Sequence, residues 1–73
     1  MRVFYVIVTK SSNDLYYIEQ TQDKKYPNGK WSFSIYEAKK FDRYVDAEFD
    51  RLASNLRDSI VEEHVFQDKY IKN

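Results

Sequence analysis

The segment Val3-Phe4-Tyr5-Val6-Ile7-Val8 is apolar at every position, β-branched or aromatic throughout, and six residues long. That is too short for a helix and has the composition of a strand. Side chains alternate between the two faces of a strand, and here both alternating sets are apolar. Such a strand belongs in the middle of a sheet with cover on both sides. In a chain of 73 residues, which is one domain (1–73), finding that cover is the main structural problem. A domain this small buries only about 60% of its unfolded surface. With no cysteine, disulfides and a thiolate zinc site are excluded as staples. Thirteen aromatic residues (seven Tyr, five Phe, one Trp) supply burial instead.

Lys10 and the turn-forming Ser11-Ser12-Asn13-Asp14 end the first strand, and Leu15-Tyr16-Tyr17-Ile18-Glu19-Gln20 reads as its hairpin partner. The only proline and the only glycine fall together in Pro27-Asn28-Gly29, a strong turn signal. From Trp31 the pattern alternates, with Trp31, Phe33 and Ile35 on one face, and predicts a strand running to Lys40 or Phe41. Asp42 stands where an N-cap belongs. After it, Val45, Phe49, Leu52, Ala53 and Leu56 recur at helical spacing. They predict a helix that fades between Ser54 and Arg57 and packs its stripe on the sheet. Asp46, Glu48, Asp50 and Arg51 form its solvated surface. Ile60–Phe66 reads as an edge strand, the alternative being a helix continued through Leu56, Ile60 and His64. Residues 66–73 read as a loose tail. The expected fold is α+β: an antiparallel β-sheet in the order β-β-β-α-β with one helix on one face, a two-layer sandwich.

Balanced charge, twelve Lys+Arg against twelve Asp+Glu, argues against nonspecific nucleic-acid binding, which rests on a surplus of cations. No apolar run approaches the ~18 residues of a membrane span, and Val3–Val8 is too short for a signal-peptide core. The expectation is a soluble, cytoplasmic protein. Catalytic signals are weak. The single histidine, His64, lies in the expected edge strand, no serine has a nucleophile-elbow context, and one glycine cannot make a phosphate loop. Glu62 and His64 could share a strand face and a metal, far from a helical zinc motif. No enzyme activity and no cofactor are expected.

Two binding readings remain. If Phe4, Val6 and Val8 join Ile18, Phe33 and Ile35 under the helix, then Val3, Tyr5, Ile7, Leu15 and Tyr17 face outward, and swapping the sets leaves the same excess. An exposed apolar patch of that kind marks an interaction surface. Tyr5, Ile7, Tyr17 and Tyr36 are its candidate partner-binding residues, with a host protein or a second copy as the partner. The alternative is single-stranded nucleic-acid binding by Lys24, Lys25, Lys30, Lys39, Lys40 and Arg43 interleaved with Tyr26 and Tyr36. Asp23, Glu37 and Asp42 dilute that cluster.

The run Ile35-Tyr36-Glu37-Ala38-Lys39-Lys40-Phe41-Asp42, followed by Asp46-Ala47-Glu48, resembles the strand-to-helix joint of small phage and prophage α+β proteins of Gram-positive bacteria. The likeness covers about a quarter of the chain and contains no catalytic motif. It implies a phage-encoded module that binds and inhibits or redirects a host or defence protein in the host cytoplasm.

Overall fold

The computed structural model describes residues 2–10, 15–56 and 58–65. The chain forms β1 (Val3–Thr9), β2 (Tyr16–Glu19), β3 (Lys30–Ser32), a single 3-10 turn (Ile35–Glu37), helix α1 (Tyr44–Ala53) and β4 (Ser59–Val65). The four strands make one antiparallel sheet in the order β3-β2-β1-β4. This is the α+β arrangement expected from the sequence, and its last element is the strand of the two alternatives. β1 is interior and pairs with β4 along its whole length, from Val3 opposite Val65 to Thr9 opposite Ser59. The expected loop Ser11–Asp14 and the tail 66–73 lie outside the described residues; on the near side of that loop Val8 pairs with Tyr16.

Both faces of β1 are covered, by different parts of the chain. Ile7 packs with Tyr17, Phe41, Ala47 and Leu56, with Tyr5, Trp31 and Val61 against them, on the face that carries α1. Phe4, Val6 and Val8 pack on the opposite face with Ala38, Tyr16 and Ile35. The expected outward-facing set is therefore corrected. Ile7 and Tyr17 are 0% and 2% exposed under Ala47 of α1, Phe41 and Leu56, while the opposite face is covered by Ile35 and Ala38 of the link between β3 and α1.

That link works because β1 and β2 splay apart beyond Val8 and Tyr16. Into the gap comes the segment 39–41. The Lys39 N–H donates to the Tyr17 carbonyl (2.9 Å), and Phe41 exchanges both backbone hydrogen bonds with Tyr5 (2.8 and 2.9 Å). Side chains alternate along this insert. Lys39 and Phe41 fall on the α1 face, while Ala38 and Lys40 fall over Phe4. An extended segment thus closes the sheet where the strands diverge and satisfies backbone groups that would otherwise be buried without partners.

The strand expected from Trp31 to Phe41 is corrected to the three residues of β3. The Ser32 hydroxyl accepts from the Ser34 N–H (3.0 Å) and donates to the Glu37 carboxylate (2.6 Å). This local bonding competes with the ladder and turns the chain into the 3-10 turn. Phe33 is left 75% exposed. The Pro27-Asn28-Gly29 turn forms as expected: the Gly29 N–H donates to the Tyr26 carbonyl (3.0 Å). Gly29 has φ +85°, and a Cβ there would lie 2.9 Å from the Glu19 carbonyl oxygen, so only glycine fits.

α1 begins one residue later than expected. Arg43, not Asp42, is the N-cap and makes no side-chain cap; instead its guanidinium donates twice to the Asp46 carboxylate (2.9 Å each). At the far end Asn55 takes a left-handed conformation (φ 58°). The Asn55 N–H reaches the Leu52 carbonyl (3.1 Å) and the Leu56 N–H reaches that of Arg51 (3.0 Å), a Schellman ending.

Candidate interaction surface

α1 meets the sheet through its less apolar side. Ala47 is the buried residue of the helix, and polar side chains around it hold the helix down. Asp50 takes a salt bridge from Lys39 (2.8 Å) and a hydrogen bond from the Ser54 hydroxyl (3.1 Å). Arg51 binds Glu48 through Nε (2.7 Å) and through its second nitrogen, and reaches the Ser59 carbonyl of β4 (3.3 Å). Asp50, Arg51 and Glu48 were expected to be solvated; each keeps only about a quarter of its side chain in water or less (20–25%).

The expected apolar stripe consequently points the other way. Val45 is 59% exposed, Phe49 74% and Leu52 65%. They stand at i, i+4 and i+7, one straight row on a helix. Ala53 is exposed beside them, while Leu56, past the helix end, is the one predicted stripe residue that is buried. The physical reason lies below. Tyr17, Trp31 and Phe41 already fill the α1 face of the sheet, and Tyr17 meets Trp31 edge-on at 5.5 Å. An alanine fits over that aromatic layer; a row of larger side chains does not.

Of the four residues expected to bind a partner, the structure keeps one at the surface. Tyr36 is exposed, Tyr5 is half-buried with its hydroxyl donating to Glu63 (3.0 Å), and Ile7 and Tyr17 are core. Burial raises the Tyr17 phenol above its ordinary value, the effect being reduced by a hydrogen bond with Ser54. The residues that sequence reasoning missed as a surface are Val45, Phe49 and Leu52. Their spacing was visible, but the side on which the helix lies was not.

Three of the six candidate basic residues, Lys39, Lys40 and Arg43, are engaged within the fold. Lys39 and Lys40 are on opposite faces of the inserted segment. Lys39 is tied to Asp50, whose hydrogen bond raises the lysine's pKa. Lys40 is turned inward, donating to the carbonyls of Ile35, Tyr36 and Ala38 (2.9, 3.2 and 3.1 Å), and burial lowers its pKa. Arg43 is held by Asp46. Lys30 lies over the Tyr26 ring (5.5 Å) and 4.0 Å from Glu19. Lys24 and Lys25 are exposed in the preceding turn.

Glu62 and His64 share a face of β4 as the strand period requires, with carboxylate and imidazole 3.0 Å apart and the His64 ring stacked on Phe4 (5.6 Å). Among the described residues no group of three or more side chains is placed to hold a metal ion, and no helix is long and apolar enough to cross a membrane. A cleft of about 760 Å³ opens between the α1 terminus and the β2–β3 turn, with Trp31, Gln20, Asn28, Asn55 and Asp58 in its wall. Asp58 is the one ionisable side chain among its described lining residues, so the wall offers hydrogen bonds and an indole surface rather than an acid–base pair. In comparisons with known proteins, no family model, curated protein or solved structure matches this chain.

Proposed function

We propose that the chain is a non-enzymatic protein-interaction module that lays the α1 row into an apolar groove of a protein partner. The observation that carries this is the outward row Val45, Phe49 and Leu52 on a helix whose opposite side is already seated. Anchors at i, i+4 and i+7 are how a helix engages such a groove, and full burial of each is worth roughly 1.5–3 kcal/mol. The resemblance to small phage proteins makes a host or defence protein the expected partner, with inhibition or redirection as the outcome. Nucleic-acid binding is the weaker reading because Lys39, Lys40 and Arg43 are engaged internally.

The test compares the wild-type chain with Phe49→Asp as baits in host extract, followed by titration of whatever the wild type retains. Replacing one central anchor should weaken that complex by about 2 kcal/mol or more, some thirty-fold. Both baits should unfold at the same urea concentration, since the side chain makes little contact within the fold. Equal retention by the two baits defeats the proposal, as does tight binding of an oligonucleotide at low salt that Phe49→Asp leaves unchanged.

A further inference from the structure

The two edges of the sheet differ. β3 is three residues long, has a register shift opposite Tyr17 and Glu19, and runs straight into the 3-10 turn, so it is a blunt edge. β4 is seven residues long and regular in register throughout. Its backbone directions follow from its neighbour. Tyr5 and Thr9 of β1 bond away from β4, to Phe41 and Leu15, whereas the Lys10 N–H bonds to the Asp58 carbonyl. Even-numbered residues of β1 therefore face β4, and by register their partners are Ile60, Glu62 and His64. Val61, Glu63 and Val65 direct their N–H and C=O groups outward, where no described strand lies. Arg51 closes the edge only at its start, on the Ser59 carbonyl.

The side chains flanking this open row specify what it accepts. Ile60 and Val65 mark its two ends with half-exposed apolar surface, and Glu62 and Glu63 stand at its centre, one on each face, each meeting a neighbour (His64 and the Tyr5 hydroxyl, 3.0 Å each) through Oε1 and keeping its charge and its second oxygen. A second copy is a poor occupant. Antiparallel pairing of two β4 edges in full overlap sets Glu62 against Glu62, and like charges directly opposite are destabilising. An extended segment with Lys or Arg at its middle meets both carboxylates instead, one on either side of the new strand. We infer that the outer edge of β4 is a docking site for an extended basic peptide segment of a partner protein, which adds as a fifth strand. This site is separate from the α1 row and does not depend on it.

The probe is a capped hexapeptide, Ile-Val-Lys-Lys-Val-Thr, with a Glu-Glu version and a version carrying proline at both valines as controls. The basic peptide should bind the full chain at least ten-fold more tightly than either control, with the preference shrinking as salt is added. On binding, amide hydrogen exchange should slow at Val61, Glu63 and Val65 and stay unchanged at Ile60 and Glu62, which are already paired. Glu62→Lys with Glu63→Lys should invert the preference towards the acidic peptide, while Phe49→Asp should leave it alone. The inference is overturned if the basic and acidic peptides bind alike or neither binds. It is equally overturned if the basic peptide leaves the three outward amides unprotected. Should those amides already exchange as slowly as Glu62 in the free protein, the edge is occupied by the protein itself and the inference fails on that ground.

Discussion

Lys40 shows how little a residue's type says about its work in a chain this small. Its ammonium nitrogen lies 5.9 Å from the centre of the Phe4 ring and closes three carbonyls around the 3-10 turn. Lys40→Met removes the lysine's hydrogen bond to the part-buried Ala38 carbonyl, whereas the Ile35 carbonyl keeps the Ala38 N–H. The relief of the buried charge offsets some of that loss, so a cost of about 1 kcal/mol is expected, read as a lower urea midpoint. Tyr17 carries a different signature. Its folded-state pKa is raised, mainly by burial, above the ordinary 10.0. The folded protein thus holds this proton more tightly than the unfolded chain does. The resulting stability is fully present below pH 10.0 and is lost as pH rises through the higher folded value. Tyr17→Phe should flatten the alkaline fall of the thermal midpoint. A remnant should persist from Tyr5 and Tyr44, whose phenols are raised by hydrogen bonds to Glu63 and Glu48. Sequence supplies the identity of such residues but not their partners: Lys40 reads as a surface cation because its acceptors are backbone carbonyls, which every residue has.

The elements divide according to whether their rule is local. β1 was legible because an unbroken β-branched run has one stable use, and β4 because strand propensity outweighed a helix that had already ended. β3 was overread, since the alternation of Trp31, Phe33 and Ile35 fits a strand until the Ser32 hydroxyl bonds Ser34 and Glu37 and turns the chain. α1 is the instructive case. Spacing locates it to within a residue at its start, yet an amphipathic pattern does not say which side packs inward. Which side is inward depends on the surface that receives the helix, and that surface is assembled from Tyr17, Trp31 and Phe41, far apart in sequence. If Ala47 sets the approach of α1 to this layer, Ala47→Leu should lift the helix and destabilise the fold by about 1–3 kcal/mol, seen as a lower thermal midpoint. Leu52→Ala, on the outward row, should stay within about 0.5 kcal/mol of wild type. The reverse order of effects would mean that the row is the packed side.

At the scale of the molecule the question is whether these surfaces satisfy one another between copies. Zero net charge removes the long-range repulsion that usually keeps small proteins apart, so self-association is opposed only by local features. Two of them act here. In a fully overlapped β4 pair Glu62 faces Glu62, and the α1 row is small for an isologous interface. A stable dimer buries about 800 Å² on each partner; three side chains, even with a phenylalanine worth roughly 150–250 Å², reach about half of that. Among the described residues, Phe33 belongs to the β3–α1 link and Tyr44, at the start of α1, turns its ring edge-on to Tyr5 (6.0 Å), so neither extends the row along α1. The isolated chain should therefore sediment as an 8.9 kDa monomer at micromolar concentration, with weak association emerging only near millimolar. A micromolar dimer abolished by Phe49→Asp would make a second copy the natural occupant of the α1 row. One strengthened by adding salt and abolished by Val61→Pro, which removes an outward N–H, would instead locate self-pairing at β4 and make a second copy the occupant of that edge.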